Sequence, residues 1–123
     1  MAKTYVDGFV MVIPKANKAA YKKMAREAAK VWTEYGALSY KECRIDDMTP
    51  EHVERTFQTL AKPKEDEDVW FSFIVFASKA ERNRINKKVM AYFDKKYSDM
   101  KDFPMPFDPK KATYGGFITE IEA

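Results

Sequence analysis

The sequence predicts an α+β fold in which a four-stranded antiparallel sheet carries two helices on one face. Three observations predict it. Four short segments are rich in Val, Ile, Phe and Tyr, two longer segments repeat apolar residues every three or four positions, and Pro or Gly punctuates their boundaries.

Taken in order, Tyr5 to Ile13 reads as a strand closed by Pro14. Asn17 then offers an N-cap to a helix in which Tyr21, Met24, Ala28, Val31, Trp32 and Tyr35 recur at helical spacing. Lys18, Lys22, Lys23, Arg26 and Lys30 occupy its other face, and Gly36 stops it. Ser39 to Asp46 reads as a second strand. From Asp47 to Asp68 the pattern weakens. Thr49-Pro50 suits the cap of a short helical turn, Val53 to Leu60 alternates as a weak strand does, and Pro63 with Glu65 to Asp68 reads as a solvated loop. Val69 to Ala77 is a near-continuous apolar strand. Ser78-Lys79-Ala80-Glu81 is a capping box opening a helix with Ile85, Val89, Phe93 and Tyr97 along one row. Asp102 to Lys111, with Pro104, Pro106 and Pro109, is expected to be extended, and Thr113 to Ile121 is the last strand. The order is the βαββαβ pattern of a ferredoxin-like fold.

At 123 residues and 14.3 kDa, residues 1–123 fit one domain large enough to bury a core of its own. A composition of 46% hydrophobic and 33% charged residues excludes a disordered chain. The net charge of +3 is far below the footprint of a nucleic-acid binder, so no nucleic-acid partner is expected. The longest apolar run, Phe73 to Ala77, is too short to span a bilayer, and Asp7 and Pro14 interrupt the first apolar run, which therefore does not read as a signal peptide. No membrane partner is expected, and the expected location is cytoplasmic. Cys43 is the single thiol and His52 the single imidazole, so neither a metal site nor another cofactor is expected.

The strand faces point to assembly. In the first strand Val6, Val10 and Val12 oppose Tyr5, Phe9, Met11 and Ile13; in the third, Trp70, Ile74 and Phe76 oppose Phe71, Phe73 and Val75. Two helices cover only one face, so an apolar second face calls for a second copy of the sheet and predicts a homodimer. The alternative is that segments 47–68 and 98–112 fold over the open face of a monomer.

Tyr5-Val6-Asp7-Gly8-Phe9-Val10, Gly36-Ala37-Leu38-x-Tyr40-x-Glu42-Cys43 with Asp46-Asp47, Pro106-Phe107-Asp108 and Tyr114-Gly115-Gly116-Phe117, in that order across almost the whole chain, resemble the YbaA-like bacterial family, a domain of unknown function. The resemblance implies a ferredoxin-like chain of the dimeric α/β-barrel superfamily, whose related barrels include monooxygenases, isomerases and haem-degrading enzymes. Haem does not suit this chain, which lacks a credible axial histidine. After Phe107-Asp108 the family pattern has Gly, Lys, Arg and Met where this chain has Pro109, Lys110, Lys111 and Ala112, so a role resting on that Arg's planar fork is not carried over.

Asp7 is the most informative residue, because an acid inside an apolar strand is costly unless it is paired. Asp7, Glu42 and Tyr114 are the candidate catalytic residues: two carboxylates approaching one cavity form an acid/base pair, and the phenol donates to either. Asp7's face is expected to turn toward the partner sheet. The structural alternative pairs Asp7 with Arg44 or Lys111, or leaves it in water at a sheet edge. Trp70, Gly115 and Gly116 are the candidate ligand-binding residues; a glycine pair within a strand signals a bulge or a close backbone approach that leaves room for a ligand or a partner's ring. Cys43, on the face opposite Glu42, is expected to be a buried apolar thiol, and His52 a surface loop residue. Two function classes follow. One is a small-molecule-binding protein or cofactor-independent enzyme that uses a cavity between helices and sheet or between paired sheets. The other is a non-enzymatic interaction or stress-associated dimer with a packed interior.

Overall fold

The computed structural model describes residues 3–49, 51–98 and 105–123. Four strands, β1 (Tyr5–Pro14), β2 (Ser39–Arg44), β3 (Glu67–Phe76) and β4 (Thr113–Ile118), form one antiparallel sheet in the order β2-β3-β1-β4. The long central strands pair from Tyr5 opposite Phe76 to Pro14 opposite Glu67, and β4 pairs with β1 from Thr113 opposite Val10 to Ile118 opposite Tyr5. Helices α1 (Lys18–Glu34) and α3 (Lys79–Lys96) cover one face. This is the ferredoxin-like α+β arrangement that the order of elements predicts.

The helix boundaries have local causes. Gly36, at φ 120°, ends α1: its N–H donates to the Thr33 carbonyl and the Ala37 N–H donates to the Trp32 carbonyl at 3.0 Å, a Schellman closure that seats the buried Ala37 against the core. At the other end Asn17 does not cap α1. It lies in a preceding 3-10 turn (Lys15–Asn17), and its side chain donates instead to the Pro106 carbonyl at 2.9 Å. Ser78 caps α3 by accepting from the Glu81 N–H, while the Glu81 carboxylate, the expected second half of the box, is taken by Arg84.

Segment 47–68 departs from expectation. Its regular element is a short helix, α2 (Phe57–Ala61), where weak strand alternation was expected. Thr56 and Thr59 close a reciprocal capping box, and Lys62 ends the turn at φ 50°, so paired side-chain caps win over the alternation. Thr49 donates to Asp47 rather than capping a helix, and Pro50 lies outside the described residues. Of the segment expected to be extended, 102–104 lies outside the described residues, and Pro109–Lys111 forms a 3-10 turn capped by Asp108.

The core lies between helices and sheet. Val31, Ala37, Ile74, Phe76, Ile85 and Val89 form one buried cluster, and Met11, Ile13, Tyr21, Ala25 and Trp70 form a second. Each large side chain fully buried there contributes about 1.5–3 kcal/mol. Among the described residues, the opposite face is covered only at one end. There α2 packs against β1 and β3, with Phe57 against Phe71 at 5.8 Å between ring centroids, and Val10, Val12 and Val69 are buried. Even there Phe71 is 39% exposed, and further along Phe117 is 61% exposed. Residues 105–108 go to the helix side instead, where Phe107 meets Tyr21 edge-on at 5.6 Å.

Candidate functional site

Strand alternation places Tyr5, Asp7, Phe9, Met11 and Ile13 of β1 toward the helices, together with Tyr40 and Glu42 of β2, Trp70 of β3, and Tyr114 and Gly116 of β4. Both candidate carboxylates therefore share the helix-side face, but β3 runs between their strands and they build separate clusters.

Asp7 is 1% exposed and completely partnered. Its Oδ1 accepts from Arg82 Nη1 at 2.9 Å and from the Tyr114 hydroxyl at 2.9 Å, and its Oδ2 accepts from Asn86 Nδ2 at 3.2 Å. Arg82 also donates to the Tyr114 hydroxyl at 2.6 Å and lies over the Tyr5 ring at 4.7 Å, while Asn86 accepts from the Trp32 indole at 2.9 Å. Burial and the neighbouring Asp7 push the Tyr114 phenol up, so it stays a donor. The network ties α3 to β1 and to edge strand β4. Asp7 thus turns toward the helices, not toward a partner sheet, and its cation is Arg82, not Arg44 or Lys111; Lys111 lies 3.8 Å from Glu67.

Arg82 and Asn86 were not among the candidates. Their signal was present: they stand at i and i+4 beside the core row Ile85 and Val89, and polar residues on a buried helix stripe need a buried partner.

Glu42 has a different environment. Its Oε2 accepts from the Tyr21 hydroxyl at 2.8 Å and its Oε1 from the Tyr40 hydroxyl at 2.7 Å, and among the described residues it forms no ion pair. Burial pushes its carboxyl above the ordinary carboxylate value, against the two phenolic hydrogen bonds that pull it down. Burial also raises both phenols strongly, with the Glu42 charge adding to it, so they remain protonated donors. Glu42 and Trp70 line a cavity of about 440 Å³ between α1 and the β2–β3 side of the sheet, with Lys18, Lys22, Ala25, Arg26 and Ala29 on one side and Tyr40 and Arg44 on the other. Trp70 is its buried aromatic wall, held by an edge contact with Tyr21 at 5.1 Å. A carboxyl that holds its proton more tightly than usual and lines a cavity can give a proton to a bound molecule or take one from it.

The structure brings Tyr114 to Asp7 and leaves Glu42 apart from both. Gly115 and Gly116 form no bulge, since pairing with Gly8 and Asp7 continues through them. The expected room is filled from within the chain. A Cβ on Gly116 would come within 2.9 and 3.0 Å of Tyr5 ring carbons, and one on Gly115 within 3.1 Å of the Phe117 ring. Cys43 is exposed rather than buried, on the edge strand β2. His52 is exposed in a loop, as expected. Among the described residues no cluster of three or more His, Cys, Asp or Glu is arranged to hold a metal ion, and no helix is long and apolar enough to cross a membrane.

A family model described as a protein of unknown function (DUF1428) matches residues 4–109. The uncharacterized protein YbaA of Escherichia coli K12 is 42% identical over 120 residues, covering 96% of this chain and 97% of its own length, and YbaA of Shigella flexneri matches to the same extent. Among solved structures, the de novo designed protein Foldit4 overlays at a TM-score of 0.45 and 8% identity, over 98% of this chain and all of its own, a likeness too loose to bear on function. With the match spanning most of the chain, the chain belongs to the YbaA-like DUF1428 family of unknown function.

Proposed function

We propose that the protein is a soluble, cytoplasmic homodimer that binds a small molecule in the cavity between α1 and the sheet, with Glu42 as the group that exchanges a proton with it. The observation that carries this reading is Glu42 itself: a carboxyl raised by burial, held by two phenols instead of a cation, and facing a cavity. That is the arrangement a cofactor-independent acid/base catalyst needs. Assembly rests on the sheet face opposite the two long helices, where Val6, Phe71, Phe73, Val75 and Phe117 present an apolar surface that, among the described residues, α2 covers only at one end. A second copy covers it without exposing new apolar area.

Two experiments test the reading. Sedimentation equilibrium is expected to give twice the chain mass, and Phe73→Glu is expected to give a folded monomer, because a charge would be buried between the sheets; a wild-type monomer at micromolar concentration overturns the assembly. In a thermal-shift screen against fractionated bacterial small molecules, at least one fraction is expected to raise the melting temperature of the wild type but not of Ala29→Trp, in which the indole fills the cavity. No active fraction, or an equal shift in both proteins, overturns the site.

A further inference from the structure

Lys18, Lys22 and Arg26 stand at successive i, i+4 positions of α1, and Arg44 lines the same cavity from β2. Like charges at that spacing repel along a helix. Among the described residues none of the four forms an ion pair. The acid nearest in kind on α1, Glu27, points to α3, where Lys96 and Tyr97 hold it. The cavity's own acid, Glu42, spends both oxygens on Tyr21 and Tyr40. Among the described residues, the Arg44 side chain donates only to the adjacent Ile45 carbonyl, at a long 3.4 Å. Behind these four cations the wall is apolar, made by Trp70, Ala25 and Ala29. By contrast, Arg82 is paired with Asp7, and Lys96 with Glu27.

We propose that the cavity binds a small organic anion, its carboxylate or phosphate group held between Arg44 and the Lys22–Arg26 stripe and its apolar remainder against Trp70. The inference rests on the reading of the Glu42 cavity as a ligand site and adds the charge of the ligand. Arg26 and Arg44 present planar forks suited to two oxygens of one anionic group, with Lys18 and Lys22 as point charges at the rim. Glu42 supplies a hydrogen bond or a proton at the floor.

The probes are 2-naphthoate, 1-naphthyl phosphate and, as the uncharged counterpart, 2-naphthol, titrated by calorimetry and by the NMR signal of the Trp70 indole. At least one anion is expected to bind about tenfold more tightly than 2-naphthol at low salt and to shift the Trp70 signal. That advantage is expected to vanish at high salt and in the double variant Lys22→Gln/Arg26→Gln, which exchanges exposed side chains; 2-naphthol binding is expected to change much less than anion binding under either change. Preference for the carboxylate or for the phosphate decides between the two kinds of anion. Equal binding of all three probes at Trp70, or an anion preference that survives the double variant, overturns the anion proposal and leaves the ligand cavity standing. No probe shifting the Trp70 signal overturns the proposal together with the cavity.

Discussion

Asp7 and Glu42 lie on the same face of the same sheet, yet the fold treats them in opposite ways. Asp7 is sealed beneath α3 with a guanidinium, an amide and a phenol on its two oxygens. These donors all come from within the fold, and Asp7 is 1% exposed. Glu42 has two phenols, no cation, and a solvent-connected cavity in front of it. A buried acid supplied with a full positive charge acts as a structural pin, because the pair is stable only while both members stay in place. A buried acid supplied only with neutral donors keeps an affinity for its proton, which is the property that chemistry uses.

Perturbing the pin gives the largest expected effects. Asp7→Ala leaves the Arg82 guanidinium, Asn86 and Tyr114 without their acceptor, and is expected to lower stability by about 3–5 kcal/mol in urea unfolding. A loss below about 1 kcal/mol, the worth of one ordinary hydrogen bond, would dissolve the contrast between the two acids. Gly116→Ala drives a methyl into the Tyr5 ring, which cannot move without leaving Arg82, and is expected to cost about 1–3 kcal/mol by the same assay. Tyr114→Phe removes one of three donors to Asp7 from a half-exposed position, and the expected loss is about 1 kcal/mol, with Arg82 still in place.

The smallest effect sharpens the comparison most, because its sign depends on pH. The Glu42 carboxyl binds its proton more tightly in the fold than in the unfolded chain. Its contribution is therefore complete below the ordinary carboxylate range near about pH 4.3 and is lost as pH rises through the raised folded value. Glu42→Gln, which carries no such proton, is expected to gain stability relative to wild type across that window. Thermal melts of both proteins from acid to neutral pH measure it. Burial raises the phenols of Tyr21 and Tyr40, the two donors to Glu42, so both stay protonated throughout the window and the difference belongs to residue 42. A constant difference between the two melts would place Glu42 with Asp7 as a purely structural acid.

Much of the architecture was legible in the residues alone. Period-two and period-3.6 apolar patterns, Gly36 as a helix stop and Ser78 as a cap are local signals, and the four main strands and two long helices they predict are present with boundaries within a few residues, whereas the weak alternation of Val53 to Leu60 gave way to a short helix. Asp7 was also conspicuous, since an acid in an apolar strand announces a buried partner. What the local signals do not carry is which partner. Arg82 is 75 positions away and meets Asp7 because antiparallel pairing of β1 with β3 sets the end of β3, and with it the start of α3, beside the beginning of β1. The separation of Glu42 from Asp7 was equally a matter of strand order: with β3 inserted between β2 and β1, two acids of similar promise fall into different clusters. The same holds for Gly115 and Gly116, where the space predicted from missing side chains is real but is filled by Tyr5 and Phe117, whose directions depend on the pleat and register of the finished sheet. Sequence determined the elements and the residues that needed partners, because propensity, periodicity and the cost of burying charge act over a few residues. Only the tertiary structure decided the pairings, because hydrogen bonds and cavities join groups that the chain holds far apart.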